Sequence, residues 1–175
     1  KGAYLGLFAG GFGHTYGTWS EWQIQRPDVA DNLPGLAQMQ FARLLMESSP
    51  FLSRIPDQSL IAAQTPGSSA VPARATRDHG GSWAMVYLPG QRHQVTIDTT
   101  RLSADTLRAW WYRTTDGAVC DQDGAVCDTP FADIMPGGEP VFESPARNGL
   151  DWVLVLDDAA AGYPVSGREP QGARR

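Results

Sequence analysis

Apolar and polar residues alternate along much of the chain after residue 73, and a period of two predicts β-strands. The clearest example is 82–88, Ser-Trp-Ala-Met-Val-Tyr-Leu, in which both sets of alternate positions are apolar. A strand with two apolar faces belongs in the centre of a sheet that is covered on both sides. Further strands are predicted at 95–97, 107–112, 141–142 and 151–156. Short strands separated by turns, with no helix among them, indicate an antiparallel β-sandwich.

The first fifty residues have a different pattern. Residues 1–9 predict a short helix, 11–16 a short buried strand, and 36–48 a second helix. The apolar face of this second helix is expected to carry Met39, Phe41, Leu44 and Leu45. Ser49-Pro50 ends the helix, because proline disfavours the helical conformation in the residue before it. Residues 51–71 are interpreted as a connector, and the Gly-, Pro-, Ala- and Arg-rich segment 159–175 as a disordered tail.

The most unusual segment is 10–22, which reads Gly-Gly-Phe-Gly-His-Thr-Tyr-Gly-Thr-Trp-Ser-Glu-Trp. Four glycines allow the backbone to turn sharply, while aromatic rings and hydrogen-bonding side chains are suited to contact with a sugar. The candidate substrate-binding residues are His14, Tyr16, Trp19 and Trp22. Each has an alternative interpretation. His14 and Tyr16 would hold the loop by hydrogen bonds, and the two tryptophans would pack against the sandwich.

The run Gly-His-Thr-Tyr-Gly at 13–17, within 1–22, resembles the closing strand of the apiosidase-like barrel of glycoside hydrolase family 140. Segments 83–89, 110–117 and 151–154 are similar to the β-sandwich appended to such barrels, which is labelled a collagen-binding domain. The resemblance implies an α+β chain made of the last β/α unit of a (β/α)8 TIM-type barrel followed by an antiparallel β-sandwich. The implied divisions are the barrel end at 1–50, the connector at 51–71, the sandwich at 72–158 and the tail at 159–175.

The function implied is that of the C-terminal portion of a glycoside hydrolase acting on a plant-type or other complex polysaccharide. Its partners would be a polysaccharide or oligosaccharide and the rest of the barrel, in an extracellular or periplasmic location. Glycosidases require two carboxylates that flank the scissile bond. The acids of 1–50 are Glu21, Asp28, Asp31 and Glu47, and none occupies a position expected of such a pair. We therefore assign no catalytic residue and expect the catalytic acids to precede residue 1.

Two other functions remain open at this point. The chain is alternatively a stand-alone module that binds a glycan or a matrix protein, or a structural brace for the barrel. A glycan-binding face on the sandwich would need exposed tryptophans, with Trp83, Trp110, Trp111 and Trp152 as the candidates. Trp110 and Trp111 point to opposite faces of their strand, so only one of them belongs in the core of a single sandwich.

The charge and composition of the chain also restrict the classes of partner that it could bind. The formal net charge is −5, from 14 basic and 19 acidic residues, which argues against binding a nucleic-acid backbone. No apolar run reaches the length of a membrane span, and no metal site or cofactor is expected. Cys120 and Cys127 lie in a tandem repeat, Asp-Gly-Ala-Val-Cys-Asp-Gln at 116–122 and Asp-Gly-Ala-Val-Cys-Asp-Thr at 123–129. They form either a bridge across a hairpin or two free thiols in a duplicated surface loop, and we favour the free thiols.

Overall fold

The structure, a computed structural model, describes residues 1–17, 33–146 and 150–168. Within these ranges the chain forms two helices, α1 (Gly2–Phe8) and α2 (Pro34–Glu47). The same ranges contain ten strands: β1 (Arg54–Pro56), β2 (Ile61–Thr65), β3 (Arg74–Asp78), β4 (Trp83–Leu88), β5 (Gln94–Ile97), β6 (Leu107–Arg113), β7 (Val119–Cys120), β8 (Ala132–Ile134), β9 (Val141–Glu143) and β10 (Trp152–Asp158).

The strands form two sheets in which every pairing is antiparallel. The larger sheet has the order β1-β3-β4-β10-β6-β7, and β8 also pairs with β6; the smaller sheet has the order β2-β5-β9. At the centre of the larger sheet, Leu154 of β10 lies opposite Val86 of β4 on one side and Trp111 of β6 on the other. The predicted antiparallel β-sandwich is therefore confirmed.

The larger sheet is buried on both faces, as the pattern of residues 82–88 predicts. One face packs against the smaller sheet and forms the sandwich core, which includes Val86, Val95, Ile97, Leu107, Trp111, Phe142, Trp152 and Leu154. The other face packs against the two helices and forms the helix-side core, which includes Tyr4, Leu7, Phe8, Leu45, Trp83, Met85, Tyr87, Trp110, Tyr112 and Val153. Trp110 and Trp111 thus belong to different cores, because adjacent residues of a strand face opposite ways.

Both helices bury a narrow stripe against the sheet. In α1 the buried residues Tyr4, Leu7 and Phe8 have the i, i+3, i+4 spacing of one helix face. The ring of Tyr4 stacks on that of Tyr87, with 5.3 Å between centroids. In α2 the buried stripe is Ala42, Leu45 and Met46.

The stripe on α2 differs from the predicted face. Of the four residues expected there, only Leu45 is fully buried, whereas Met39, Phe41 and Leu44 are half-buried. The buried residues Ala42, Leu45 and Met46 each follow an expected one by one position, so the buried stripe is displaced along the helix from the predicted face.

Three other expectations need correction. Residues 11–16 form an irregular loop in place of a buried strand, and most of them are exposed. The expected connector 51–71 supplies β1 to the larger sheet and β2 to the smaller one, so the sandwich begins at Arg54. The expected tail is packed in part, because Tyr163 and Val165 lie against the helix-side core and Ser166 is buried. Residues 169–175 lie outside the described ranges.

Candidate functional site

The glycine-rich loop that follows α1 is held in place by Arg54, at the start of β1. The guanidinium donates to the carbonyl of Leu7 at 2.5 Å through Nη1 and to the carbonyl of Gly11 at 2.8 Å through Nη2. Leu7 lies at the C-terminal end of α1, where carbonyls have no partner within the helix and a cation is favourable. Burial lowers the pKa of Arg54. One side chain therefore fastens both the helix end and the loop to the sandwich.

A pocket of about 260 Å³ opens beside this loop. Its walls come from the end of α1, the loop, one side of α2 and the short turn before β1. The lining residues are Leu7, Phe12, Gly13, His14, Met39, Ala42, Arg43, Met46, Glu47, Phe51 and Arg54. The volume is slightly below the roughly 300–1,000 Å³ of typical ligand sites, so the pocket has room for one small group.

The four predicted sugar-binding residues do not share one position. His14 lines the pocket and is exposed. Tyr16 is half-buried and packs on the first turn of α2, where a Cβ on Gly35 would lie 2.7 Å from its hydroxyl oxygen. Trp19 and Trp22 lie outside the described residues. The structure therefore brings His14 to a concave surface and separates Tyr16 from it.

The electrostatics of the pocket do not provide hydrolytic chemistry. Glu47 is the one carboxylate among the lining residues. Both of its oxygens accept hydrogen bonds from Nε of Arg43, each at 3.0 Å, across one turn of α2. Hydrolysis of a glycosidic bond uses two carboxyl groups about 5–9.5 Å apart, and the described lining does not contain such a pair.

The rim of the pocket is apolar and faces solvent. Phe12 is 94% exposed and Leu52 is 87% exposed, and Leu36 and Phe51 are also exposed. Phe12 and Phe51 line the pocket, Leu52 follows Phe51 in the chain, and Leu36 lies one turn before the lining residue Met39 in α2. We call these four residues the apolar rim. Single exposed apolar residues are ordinary, but a cluster around a concavity marks a surface for contact with another group.

The four sandwich tryptophans are all buried. Trp83, Trp110, Trp111 and Trp152 are each at most 2% exposed. The side chain of Arg108 covers Trp110, with its guanidinium carbon 5.5 Å from the ring centroid, and pairs with Asp157 at 2.6 Å. None of the four tryptophans offers a face on which a sugar could stack.

The Asp-Trp motif at 151–152 has a structural role. Asp151 accepts hydrogen bonds from the hydroxyl of Tyr87 at 2.6 Å and from the backbone N–H of Gly90 at 2.8 Å. Its carboxylate also lies 3.5 Å from Nζ of Lys1. Burial, together with the hydrogen bond to Asp151, raises the pKa of Tyr87. Asp151 thus holds the start of β10 against the end of β4 and the first residue of the chain.

The two thiols are free, as the sequence analysis favours. Val119 and Cys127 face the helix-side core, whereas Cys120 lies in the sandwich core. The backbone N–H of Cys127 bonds to Val119, so the two cysteines sit on opposite faces of their short hairpin. That arrangement does not allow a bridge between them without a change of register.

Within the described ranges, His, Cys, Asp and Glu side chains do not gather in groups of three that could hold a metal ion. Neither α1 nor α2 has the length and apolar character needed to cross a membrane.

The sandwich defines the class of this protein. Residues 55–157 match the family described as "Putative collagen-binding domain of a collagenase". This range contains eight of the ten described strands in full, together with the end of β1 and all of β10 except its last residue. The chain therefore belongs to this family. No curated protein matches the chain.

Two solved structures extend the similarity beyond the sandwich. One, titled "Glycoside hydrolase", is 33% identical with a TM-score of 0.75 and is matched over 90% of this chain. The other is a glycoside hydrolase family 5 protein from Bacteroides vulgatus ATCC 8482, 30% identical with a TM-score of 0.78 over 96% of this chain. This chain spans 36% and 38% of the lengths of those proteins. It is similar to rather more than a third of a glycoside hydrolase.

Arg54 is the pocket residue that sequence reasoning missed. It stands in the segment interpreted as a connector, and its partners lie 43 and 47 residues earlier in the chain. In the sequence, Arg54 simply precedes Ile55 and Pro56. That local pattern does not predict a contact with residues more than forty positions away.

Proposed function

We propose that this chain is the C-terminal part of a glycoside hydrolase, in which the sandwich is an accessory domain that packs on the catalytic domain. The helix-and-loop unit, residues 1–17 and 33–53, belongs to the interface with that domain. In our proposal it supplies the helical part of the last β/α unit of a TIM-type barrel; residues 11–16, which form a loop, are not the strand of that unit. The catalytic carboxylates then belong to parts of the enzyme outside this chain.

The observation that carries the proposal is the extent of the match to glycoside hydrolases. The family match begins at residue 55, but the solved structures match 90% and 96% of the chain. The matched part therefore includes residues before the sandwich, and the identity over the whole match is 33% and 30%. A sandwich that occurred independently of the enzyme would not need to share this preceding unit.

The apolar rim supports the same proposal. Its residues, Phe12, Leu36, Phe51 and Leu52, leave apolar side chains in water, and two of them, Phe12 and Phe51, line a small pocket. Burying apolar surface stabilises a contact by about 25 cal/mol per Å². A catalytic domain packed on this side would cover the rim and fill the pocket.

The finer assignment is an apiosidase-like enzyme for a plant-type or other complex polysaccharide, in an extracellular or periplasmic location. Its support is the sequence resemblance of segments 13–17, 83–89, 110–117 and 151–154. His14 is the described residue best placed to reach a bound sugar, because it stands exposed at the pocket mouth. Trp19 and Trp22 stay predictions from the sequence.

A direct test compares the intact gene product with the 1–175 chain on pectic polysaccharides and aryl glycosides. We expect hydrolysis by the intact protein and none by the 1–175 chain. Hydrolysis by the 1–175 chain alone, abolished by Glu47→Gln, would contradict the proposal. Absence of activity from the intact protein on all polysaccharides tested would remove the assignment as a glycosidase.

A second test addresses the interface. Leu52→Asp should lower the melting temperature of the intact protein but leave that of the 1–175 chain unchanged, because Leu52 is buried only by the catalytic domain. Met135→Asp is the matched control, since Met135 is 82% exposed on the sandwich. Equal behaviour of the two variants in the intact protein would show that the rim is not the interface.

The alternative is a stand-alone module that binds a matrix protein, and the description of the family favours it. The same 1–175 chain can be tested by co-sedimentation with fibrillar collagen and with pectic polysaccharides. Specific retention on collagen that is unaffected by rim variants would support the alternative. No retention on either material is the result expected of an accessory domain that acts as a brace.

A further inference from the structure

The tandem repeat places two nearly identical segments in different surroundings. The first copy, 116–122, and the second copy, 123–129, differ only at their last residue, Gln122 against Thr129. In the structure the first copy supplies β7, where Val119 lies opposite Tyr112 and Cys120 lies opposite Trp111. Val119 is 6% exposed, whereas its equivalent in the second copy, Val126, is 69% exposed.

Both copies have a glycine in the left-handed conformation that a tight turn requires. Gly117 and Gly124 both have positive φ, 71° and 80°, which favours glycine. Asp116 accepts from the N–H of Ala118 within the first copy, whereas the N–H of Ala125 in the second copy donates to Asp121 of the first copy. Asp116 also pairs with Arg113 at 2.6 Å. Asp123 has the same place in the second copy and would meet Arg113 if that copy followed β6.

We propose that the two copies exchange as the strand β7, so that the edge of the larger sheet has two alternative registers. In the second register Val126 takes the site of Val119 in the helix-side core, and Cys127 takes the site of Cys120 in the sandwich core. The first copy then becomes part of a longer turn after β6. The exchange transfers burial from one thiol to the other, so it determines which cysteine is accessible to solvent.

The energetics of the two registers are closely matched because the side chains that enter the sites are identical. The turn before β7 lengthens by seven residues and the loop before β8 shortens by the same seven. Closure entropy depends only weakly on loop length, so these two changes nearly offset each other. The observed register is favoured by the hairpin between the copies, in which Cys127 N–H bonds to Val119 and Asp121 N–H to Ala125.

The position of β7 provides a route for the exchange. It is two residues long and lies at one end of the larger sheet, and within the described part of the chain its backbone pairs only with β6 and the second copy. Edge elements with few contacts open locally without unfolding of the domain. Ambiguous register is also typical of strands whose sequence repeats, because the pattern does not distinguish the two pairings.

The test forces the exchange by removing the apolar side chain from one copy. In the unmodified protein, labelling with N-ethylmaleimide followed by fragment-ion mass spectrometry should show Cys127 reacting faster than Cys120. In Val119→Asp the protein should remain folded and the order should reverse, because Val126 now fills the site. Val126→Asp, at the exposed position, is the matched control and should keep the original order.

The double variant Val119→Asp/Val126→Asp completes a double-mutant cycle with the two single variants. Exchange predicts a loss of stability larger than the sum of the two single losses, because the double variant has no valine left for the site. Without exchange, Val126→Asp adds nothing to Val119→Asp. Unfolding of Val119→Asp alone, or continued protection of Cys120 in it, would overturn the proposal.

A deletion tests whether the second register is sterically possible. Removing 116–122 leaves the second copy as the only candidate for β7 and residues 128–131 as its connection to β8. We expect a folded protein in which Cys127 resists labelling as Cys120 does in the unmodified protein. Failure of this variant to fold would mean that the shortened connection does not reach β8, and the exchange would be excluded.

Discussion

Trp111 and Phe12 are both large aromatic residues, but the first is 1% exposed and the second 94% exposed. Trp111 stands in a sandwich that closes its own core, with its ring 6.0 Å from that of Phe131 and 6.4 Å from that of Trp152. Phe12 stands on the loop after α1, whose inner side is fastened by Arg54 and whose outer side faces water. The core between the two sheets is closed by the sandwich alone, whereas, among the described residues, the helix-and-loop unit leaves Phe12 and Leu52 exposed to water.

The side chains that stabilise the domain are therefore different from those that are available to contact a partner. Side chains of the sandwich core contribute to folding of this chain. Side chains of the apolar rim contribute little to its folding and remain available for contact. Substitutions in the two regions should therefore affect different measurements, and the largest expected difference is in the free energy of unfolding.

Trp111→Ala should show the strongest effect. Truncation of a fully buried aromatic residue costs about 3–5 kcal/mol, from lost burial and the cavity that remains. Urea denaturation followed by circular dichroism measures this change. Phe12→Ala is the matched control and should leave the denaturation midpoint unchanged. A substantial loss of stability in Phe12→Ala would show that the loop is part of the folding core.

Arg54→Ala tests the link between the two regions. It removes charged hydrogen bonds to the carbonyls of Leu7 and Gly11, and such bonds contribute about 1.5–3 kcal/mol. We expect faster amide hydrogen exchange in residues 5–11, while the strands of the sandwich keep their protection. Arg43→Ala is the control, because Arg43 lies on the same pocket wall but pairs only within α2. Loss of protection from hydrogen exchange throughout the sandwich would contradict the separation of the loop from the sandwich in stability.

Asp151→Ala should have a smaller effect, confined to the junction of β4 and β10. The variant leaves the hydroxyl of Tyr87 and the N–H of Gly90 without their acceptor. An unsatisfied buried polar group costs about 1–3 kcal/mol, less where water reaches it. Denaturation by urea gives the loss, with Asp105→Ala as an exposed control. An unchanged midpoint would mean that Lys1 and Asp151 are not part of a stabilising network.

The two regions also differ in how well the sequence predicts them. Strands β4, β6 and β10 are predicted from the alternation of large side chains, because each large apolar side chain indicates that its face of the strand is buried. In the segment 11–16, the large side chains of Phe12, His14 and Tyr16 also alternate with small residues. The intervening residues are mostly glycines, which have no side chain to bury on the other face. The same period of two therefore describes a central strand in one place and an exposed loop in the other.

The site is harder to predict than the sandwich for a related reason. The pocket is formed by segments far apart in sequence, and the contact from Arg54 to Leu7 spans the whole of α2. His14 was identified by its chemistry and its glycine-rich neighbours. Arg54 and Phe51 carry no local pattern, so only the folded chain brings them to the pocket.

The smallest expected effect concerns His93, which lies between the two sheets. Its ring is fully buried, with Nε2 3.2 Å from the side-chain oxygen of Gln64 in β2 and Nδ1 3.4 Å from the carbonyl of Pro89 after β4. Burial lowers the pKa of His93 below its ordinary value, which is about 6.5 in an unfolded chain. The unfolded state thus binds a proton at a pH where the folded state does not.

The sign of the pH dependence follows from this difference. Stability from His93 is fully present above pH of about 6.5 and is lost as the pH falls towards the lower pKa of the folded state. The slope of unfolding free energy against pH between 7 and 5 should therefore be smaller in His93→Gln than in the unmodified protein. His79→Gln, at an exposed position, should keep the original slope. Equal slopes in all three proteins would show that His93 has the same pKa in the folded and unfolded states. A steeper slope in His93→Gln would show that the folded sandwich holds the proton of His93 more tightly than the unfolded chain does.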